Sequence, residues 1–178
     1  MKRVYLVILG TVLISAASFA QKGNNQASVA LDVALPVGDL ADASSIGIGG
    51  TLKGLYGVGT AGQITLTTGY TTFSAKKEIK DALGASKVSQ GVIPILVGYR
   101  HHFNGFFAEP QVGYGIYTSK VKGGIFDSKD SGGAFTWAIG GGYVFNQKIE
   151  AGIRYQSGTK DGESSGFVGV RIGYNFSL

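Results

Sequence analysis

The chain has 178 residues, a formal net charge of +5, 30 glycines, 3 prolines and no cysteine. The length sets one domain as the prior; glycines without a fixed period exclude a collagen-like rod, and the aromatic and β-branched content argues against disorder. The lack of cysteine excludes disulfides, thiolate metal sites, cysteine nucleophiles and a lipid-modified N-terminal cysteine.

Residues 1–20 read as a signal peptide. Lys2 and Arg3 form a charged start, Val4 to Ile14 an apolar stretch too short to span a bilayer, and Ser18-Phe19-Ala20 supplies small residues around a cleavage point before Gln21. The remainder, residues 21–178, is expected to form one domain. Loss of Lys2 and Arg3 lowers the charge from +5 to +3, so no nucleic-acid partner is expected.

The mature chain is nearly all period-2 pattern, in eight segments bounded by turn residues. They run Ala27–Leu35, Ile46–Val58, Gln63–Phe73, Val88–Phe103, Phe106–Val121, Ala134–Phe145, Ile149–Gln156 and Gly166–Leu178. An even number of such segments suits a closed antiparallel barrel. The connections alternate. Pro36–Ser45, Ser74–Lys87, Lys122–Gly133 and Ser157–Ser165 are long, whereas Gly59–Gly62, Asn104-Gly105 and Asn146–Lys148 are short. Bacterial transmembrane barrels have this asymmetry, with short periplasmic turns and longer external loops, which would put both mature termini in the periplasm. The Ser74–Lys87 loop carries Lys76, Lys77, Glu78, Lys80, Asp81 and Lys87 and has room for a short helical turn.

Parity along the strands separates two kinds of face. Val168, Val170, Ile172, Tyr174, Phe176 and Leu178 share one face of the last strand, and Gly169, Arg171, Gly173, Asn175 and Ser177 share the other. In the first strand Val29, Leu31, Val33 and Leu35 oppose Ser28, Ala30, Asp32 and Ala34. The polar faces combine glycines with isolated charges, unlike a water-exposed surface rich in Lys, Glu and Asp. A narrow lumen needs small residues and a few mutually satisfied polar ones. The expected fold is therefore an all-β, eight-stranded antiparallel up-and-down transmembrane β-barrel with its apolar face on lipid. A soluble lipocalin-like binder is the alternative, with the faces reversed.

Phe103, Phe106, Tyr143, Phe145, Tyr174 and Phe176 are placed near the periplasmic ends, and Tyr70, Tyr117, Phe135, Trp137 and Tyr155 near the external ends, as two aromatic belts. Asn104-Gly105 between two strands is a type I′ hairpin signal. Counting outward from it sets Phe103 against Phe106, Arg100 against Glu109 and Gly98 against Gln111. A buried lone charge is costly, so Arg100 and Glu109 are expected to pair inside. Asp32, Lys53, Glu150, Arg154 and Arg171 share the inner faces. Together with Gln111 they are expected to form a polar network that plugs the lumen, a narrow solute channel being the alternative.

The chain resembles the small eight-stranded outer-membrane barrel family, which includes OmpX-like proteins and the OmpA transmembrane domain. The residues that carry the likeness are Leu35-Pro36-Val37-Gly38-Asp39, Ile93-Pro94-Ile95-Leu96-Val97-Gly98-Tyr99-Arg100 and the C-terminal Arg171-Ile172-Gly173-Tyr174-Asn175-Phe176-Ser177-Leu178. The resemblance implies a cell outer membrane location in a Gram-negative envelope. It also implies that Tyr174, Phe176 and Leu178 serve as the signal for the barrel-insertion machinery, although the family more commonly ends in Phe. Outer-membrane lipids are expected partners of such a barrel, the net positive charge of the Ser74–Lys87 loop is suited to contact with anionic lipopolysaccharide or an unassigned surface partner, and no cofactor is implied. Structural, adhesive or loop-mediated contact roles are the expected functions. A lipid-modifying enzyme of this fold would need Ser, His and an acid together near the external edge. His101 and His102 instead lie at the periplasmic end, on opposite faces of one strand, so no catalytic or metal-binding residues are assigned.

Overall fold

A strand with one oily and one polar face leaves its backbone edges unpaired, and closure into a ring removes every edge. A computed structural model of the chain describes residues 24–82, 84–123, 128–160 and 162–178. The predicted signal peptide lies outside the described residues. Eight strands follow in order: β1 (Gln26–Val37), β2 (Ser44–Val58), β3 (Gly62–Ala75), β4 (Lys87–Phe103), β5 (Phe106–Lys122), β6 (Ser128–Phe145), β7 (Ile149–Lys160) and β8 (Glu163–Ser177). Each pairs antiparallel with its sequence neighbour, and β1 pairs with β8 from Gln26↔Ser177 to Val37↔Gly166, closing the barrel. Leu178 extends the seam by donating its backbone N–H to the Asn25 carbonyl at 3.0 Å.

The tight turns lie at one end. Asn104 and Gly105 adopt φ of 50° and 90°, the left-handed pair that a type I′ turn requires, and they bring Phe103 opposite Phe106. Gly98 pairs with Gln111 in the same register. The opposite, loop end carries α1 (Asp39–Ala43) and α2 (Lys77–Ala82). The latter supplies the helical turn for which the Ser74–Lys87 loop has room.

Two long connections of the sequence reading are corrected. Most of Lys122–Gly133 and of Ser157–Ser165 is strand. β5 and β6 stay paired out to Val121↔Ser128, and β7 meets β8 at Lys160↔Glu163. The asymmetry of the two ends therefore resides partly in extended hairpins. Sequence alternation misses these extensions because both faces there are polar, so no apolar period marks them.

The faces are inverted relative to a water-soluble protein. Leu31 is 76 % exposed and Ile172 is 65 % exposed, and these two are cross-strand partners on the outward surface. The buried side chains point into the lumen and are largely polar. A soluble ligand-binding barrel would turn the aliphatic faces inward, so that alternative is excluded by the observed orientation. Rings cluster on the outward face at the turn end, with edge contacts between Phe106 and Tyr143, Tyr143 and Phe145, and Tyr174 and Phe176. Tyr117 departs from the proposed external belt. It sits on the inner parity of β5, packs against buried apolar residues and shares a 3.1 Å hydrogen bond with the Thr136 hydroxyl.

Candidate functional site in the lumen

Alternate residues of all eight strands face inward, so a closed barrel brings charges far apart in sequence within contact. Among the described residues, the buried charges of the inner face are four cations, Lys53, Arg100, Arg154 and Arg171, and three carboxylates, Asp32, Glu109 and Glu150. Charges in such surroundings are tolerated only when paired and hydrogen-bonded.

Glu109 of β5 is the hub. Its Oε2 accepts from Lys53 Nζ at 2.7 Å, from Arg100 Nε at 2.9 Å and from Arg100 Nη2 at 2.7 Å. Its Oε1 accepts from Thr65 Oγ1 and Gln111 Nε2, each at 2.8 Å. Gln111 also donates to Thr67 Oγ1 at 2.7 Å. Arg100 bridges onward, donating from Nη1 to Glu150 Oε2 at 2.6 Å, and its guanidinium stacks 3.9 Å from the centroid of Phe107. Arg171 Nε lies 3.4 Å from Glu150 Oε1 and 4.0 Å from Asp32 Oδ1, and Thr51 donates its hydroxyl to Asp32 Oδ2.

The structure thus brings Asp32, Lys53, Arg100, Glu109, Gln111, Glu150 and Arg171 into one connected set. Arg154 is separate: it is buried on the same face, forms no ion pair among the described residues, and leaves Nη1 without a hydrogen-bond partner there. Gly98 is needed for this crowding. A Cβ at that position would stand 2.7 Å from Gln111 Cγ and 2.9 Å from Thr65 Oγ1. The void beside Lys53, Glu109 and Arg154 is only about 10 Å³, close to the space one water requires.

Several lumen residues escaped the sequence reading. Thr51 and Thr65 donate to the carboxylates and Thr67 accepts from Gln111, and their inner parity alone would have found them. The two histidines take opposite faces as the strand repeat predicts: His102 turns inward, its Nε2 lying 2.8 Å from Gln63 Oε1, while His101 turns outward against Phe103 with ring centroids 4.6 Å apart. More consequential is an apolar layer between the ionic set and the loop end. Ala34, Leu40 from α1, Phe73, Val92 and Phe167 cluster there, with the Phe73 and Phe167 rings 5.3 Å apart. Above it the barrel opens as a cup of about 570 Å³ whose wall includes Gln90, Asp130 and Lys160. Tyr174, Phe176 and Leu178 lie outward along β8 and its end, all exposed.

No family model and no curated protein matches the chain. Solved structures do. The attachment invasion locus protein Ail of Yersinia pestis superposes with a TM-score of 0.65 at 13% identity, over 88% of this chain and 100% of that one. Neisserial surface protein A gives 0.58 at 14% identity, over 86% and 97%. The N-terminal β-barrel domain of Pseudomonas aeruginosa OprF gives 0.54 at 13% identity, over 87% and 100%. At such identities the likeness speaks to architecture, and it agrees with a ring of eight antiparallel strands whose oily faces point outward. This chain has the fold of the small eight-stranded outer-membrane β-barrels.

Proposed function

We propose that the chain is an integral outer-membrane barrel with a structural or surface-interaction role, that its lumen is plugged by polar side chains, and that it is not an enzyme. The observation that carries this reading is the inversion of the two faces. Wide aliphatic surface is exposed outward while Arg100 and Glu150 are fully buried inside. Such a molecule is stable where hydrocarbon covers the outside, and a closed ladder satisfies every strand's backbone there. Both termini then lie on the periplasmic side with the tight turns, and the loop end meets the exterior. The solved relatives of this fold support the same location.

Membrane fractionation combined with heat-modifiable gel mobility tests the reading. The chain is expected in the detergent-extracted envelope fraction, running faster unheated than boiled. Recovery in the soluble fraction, or a single mobility, would overturn it.

Plugging has its own test. The Arg100–Glu109–Glu150 ion pairs fill the lower lumen and the Phe73–Phe167 layer crosses it above. In planar bilayers the wild-type chain is expected to show no steady openings. The double variant Phe73→Ser, Phe167→Ser thins the apolar layer and is expected to admit transient current. Steady wild-type conductance would favour the narrow-channel alternative.

A further inference from the structure

The loop-end extension of β4, β5 and β6 sorts its charges by face. Strand parity sends Lys87, Lys120, Lys122 and Lys129 outward, on the same side as Ile93, Ile116 and Phe135. The inward positions of this extension carry Val88, Gln90, Ser119, Val121 and Asp130. The four lysines line one shallow outward groove of about 600 Å³, with Tyr70 at its lower edge.

Their register is unusual. Lys87 stands directly opposite Lys122, and Lys120 directly opposite Lys129. Like charges at directly opposed positions of an antiparallel pair disfavour the pairing. Among the described residues, none of the four forms an ion pair. The platform beneath them is nonetheless packed: Val88 and Val121 cluster with Ala75 and Ala85, and Ile79 of α2 covers them. The strands therefore hold four ammonium groups together on a backed surface, with no acid paired to them among the described residues. An anion supplied from outside relieves that repulsion.

Height decides which anion. Lys120 is four residues beyond Ile116 on the same face, roughly 13 Å along a strand at about 3.3 Å per residue. Strand tilt reduces this to about 10 Å above the apolar belt. Lysine stems bend back along apolar surface while keeping the charge in the polar layer. The ammonium groups of Lys120 and its partner Lys129 thus reach the layer of lipid headgroups, and Lys87 and Lys122, two residues farther out, close the groove on its outer side.

We propose that Lys87, Lys120, Lys122 and Lys129 form a binding site for the phosphate groups of a phosphorylated glycolipid in the surrounding outer leaflet. The proposal rests on the membrane placement above and adds to it a specific face, a ligand chemistry and the residues that grip it.

The test uses the full mature chain refolded into phosphatidylcholine nanodiscs, titrated with fluorescent bis-phosphorylated lipid A and with its dephosphorylated form. Each lysine near a charged membrane surface contributes enough that the phosphorylated lipid is expected to bind at least about tenfold more tightly. The preference is expected to weaken as salt is raised. The quadruple variant K87Q, K120Q, K122Q and K129Q is expected to lose the preference, and the single variant Lys120→Gln to lose part of it. Lys76→Gln with Lys77→Gln, outside the groove, is expected to retain it.

Equal binding of the two lipids, or an unchanged preference in the quadruple variant, overturns the site. So does lysine-dependent binding of a soluble sulfated oligosaccharide with no response to lipid A, which would assign the groove to a soluble polyanion. Heat-modifiable mobility of the same samples separates the two readings. A chain that does not close in bilayers defeats the membrane placement itself, whereas a closed chain indifferent to phosphate defeats only the site. If the quadruple variant fails to close, Lys120→Gln and Lys129→Gln alone carry the comparison.

Discussion

Replacement of Glu109 by alanine is expected to destabilise the barrel by about 3–5 kcal/mol, the range for removing one partner of a buried ion pair. Glu109 accepts from Lys53, Arg100, Thr65 and Gln111 at once. Its loss leaves the Lys53 ammonium without its ion-pair partner and Arg100 with Glu150 alone. Glu109→Gln retains the shape and part of the hydrogen bonding but not the charge, so its cost is expected to be smaller. Equilibrium urea unfolding in lipid vesicles reads this as a drop in midpoint at unchanged slope. A second variant tests the cause. When Lys53→Met is combined with Glu109→Gln, the two costs are expected to be strongly sub-additive, because both act on one pair. Additive costs, or a Glu109→Ala variant as stable as wild type, would show that the buried network does not hold the lumen together.

The other large effect is expected on the opposite surface. Ile172 is among the most exposed aliphatic side chains, and Leu31 lies beside it across the β1–β8 seam. For a water-facing residue, a change to arginine alters stability by no more than about 0.5 kcal/mol. If hydrocarbon covers this face, Ile172→Arg is expected to cost about 2–3 kcal/mol, the penalty for a cation on the lipid side of a transmembrane barrel away from its interfaces. Glu163→Gln, at the loop end of the same strand, serves as the control and is expected to change little. Urea midpoints in vesicles provide the measurement. A neutral Ile172→Arg would mean that this surface meets water, and the membrane placement would fall with it. The two substitutions probe the same inversion from its two sides, since one removes a charge from the inside and the other adds one outside.

The Asn104-Gly105 hairpin explains why part of the lumen was legible before any coordinates. A two-residue turn admits one register, and that register carries Arg100 to Glu109 without reference to the rest of the molecule. Parity did the same for Asp32, Lys53, Glu150 and Arg171, because a strand offers each residue only two directions. What parity could not supply is which inner residues meet. Glu150 reaches Arg100 from β7 across the barrel, and no neighbouring-strand pairing would suggest that contact. Arg154 shares the face and the burial, and borders the same small void as Lys53 and Glu109, yet joins no ion pair among the described residues, which parity does not foretell.

The sequence by itself determined the number of strands, their order, the oily side of each and the turn that aligns β4 with β5. These follow from local constraints, namely a two-residue side-chain repeat and the left-handed backbone of Asn104 and Gly105. Only the tertiary structure decided that Leu40 folds from α1 onto Phe73 and Phe167, that Tyr117 packs against that cluster, and that four lysines on the extended hairpins stand opposed in pairs, with no ion pair among the described residues. The physical reason is closure. Wrapping the sheet on itself fixes the height of every strand relative to those it does not adjoin, and that height, absent from any local pattern, selects the side chains that touch across the lumen.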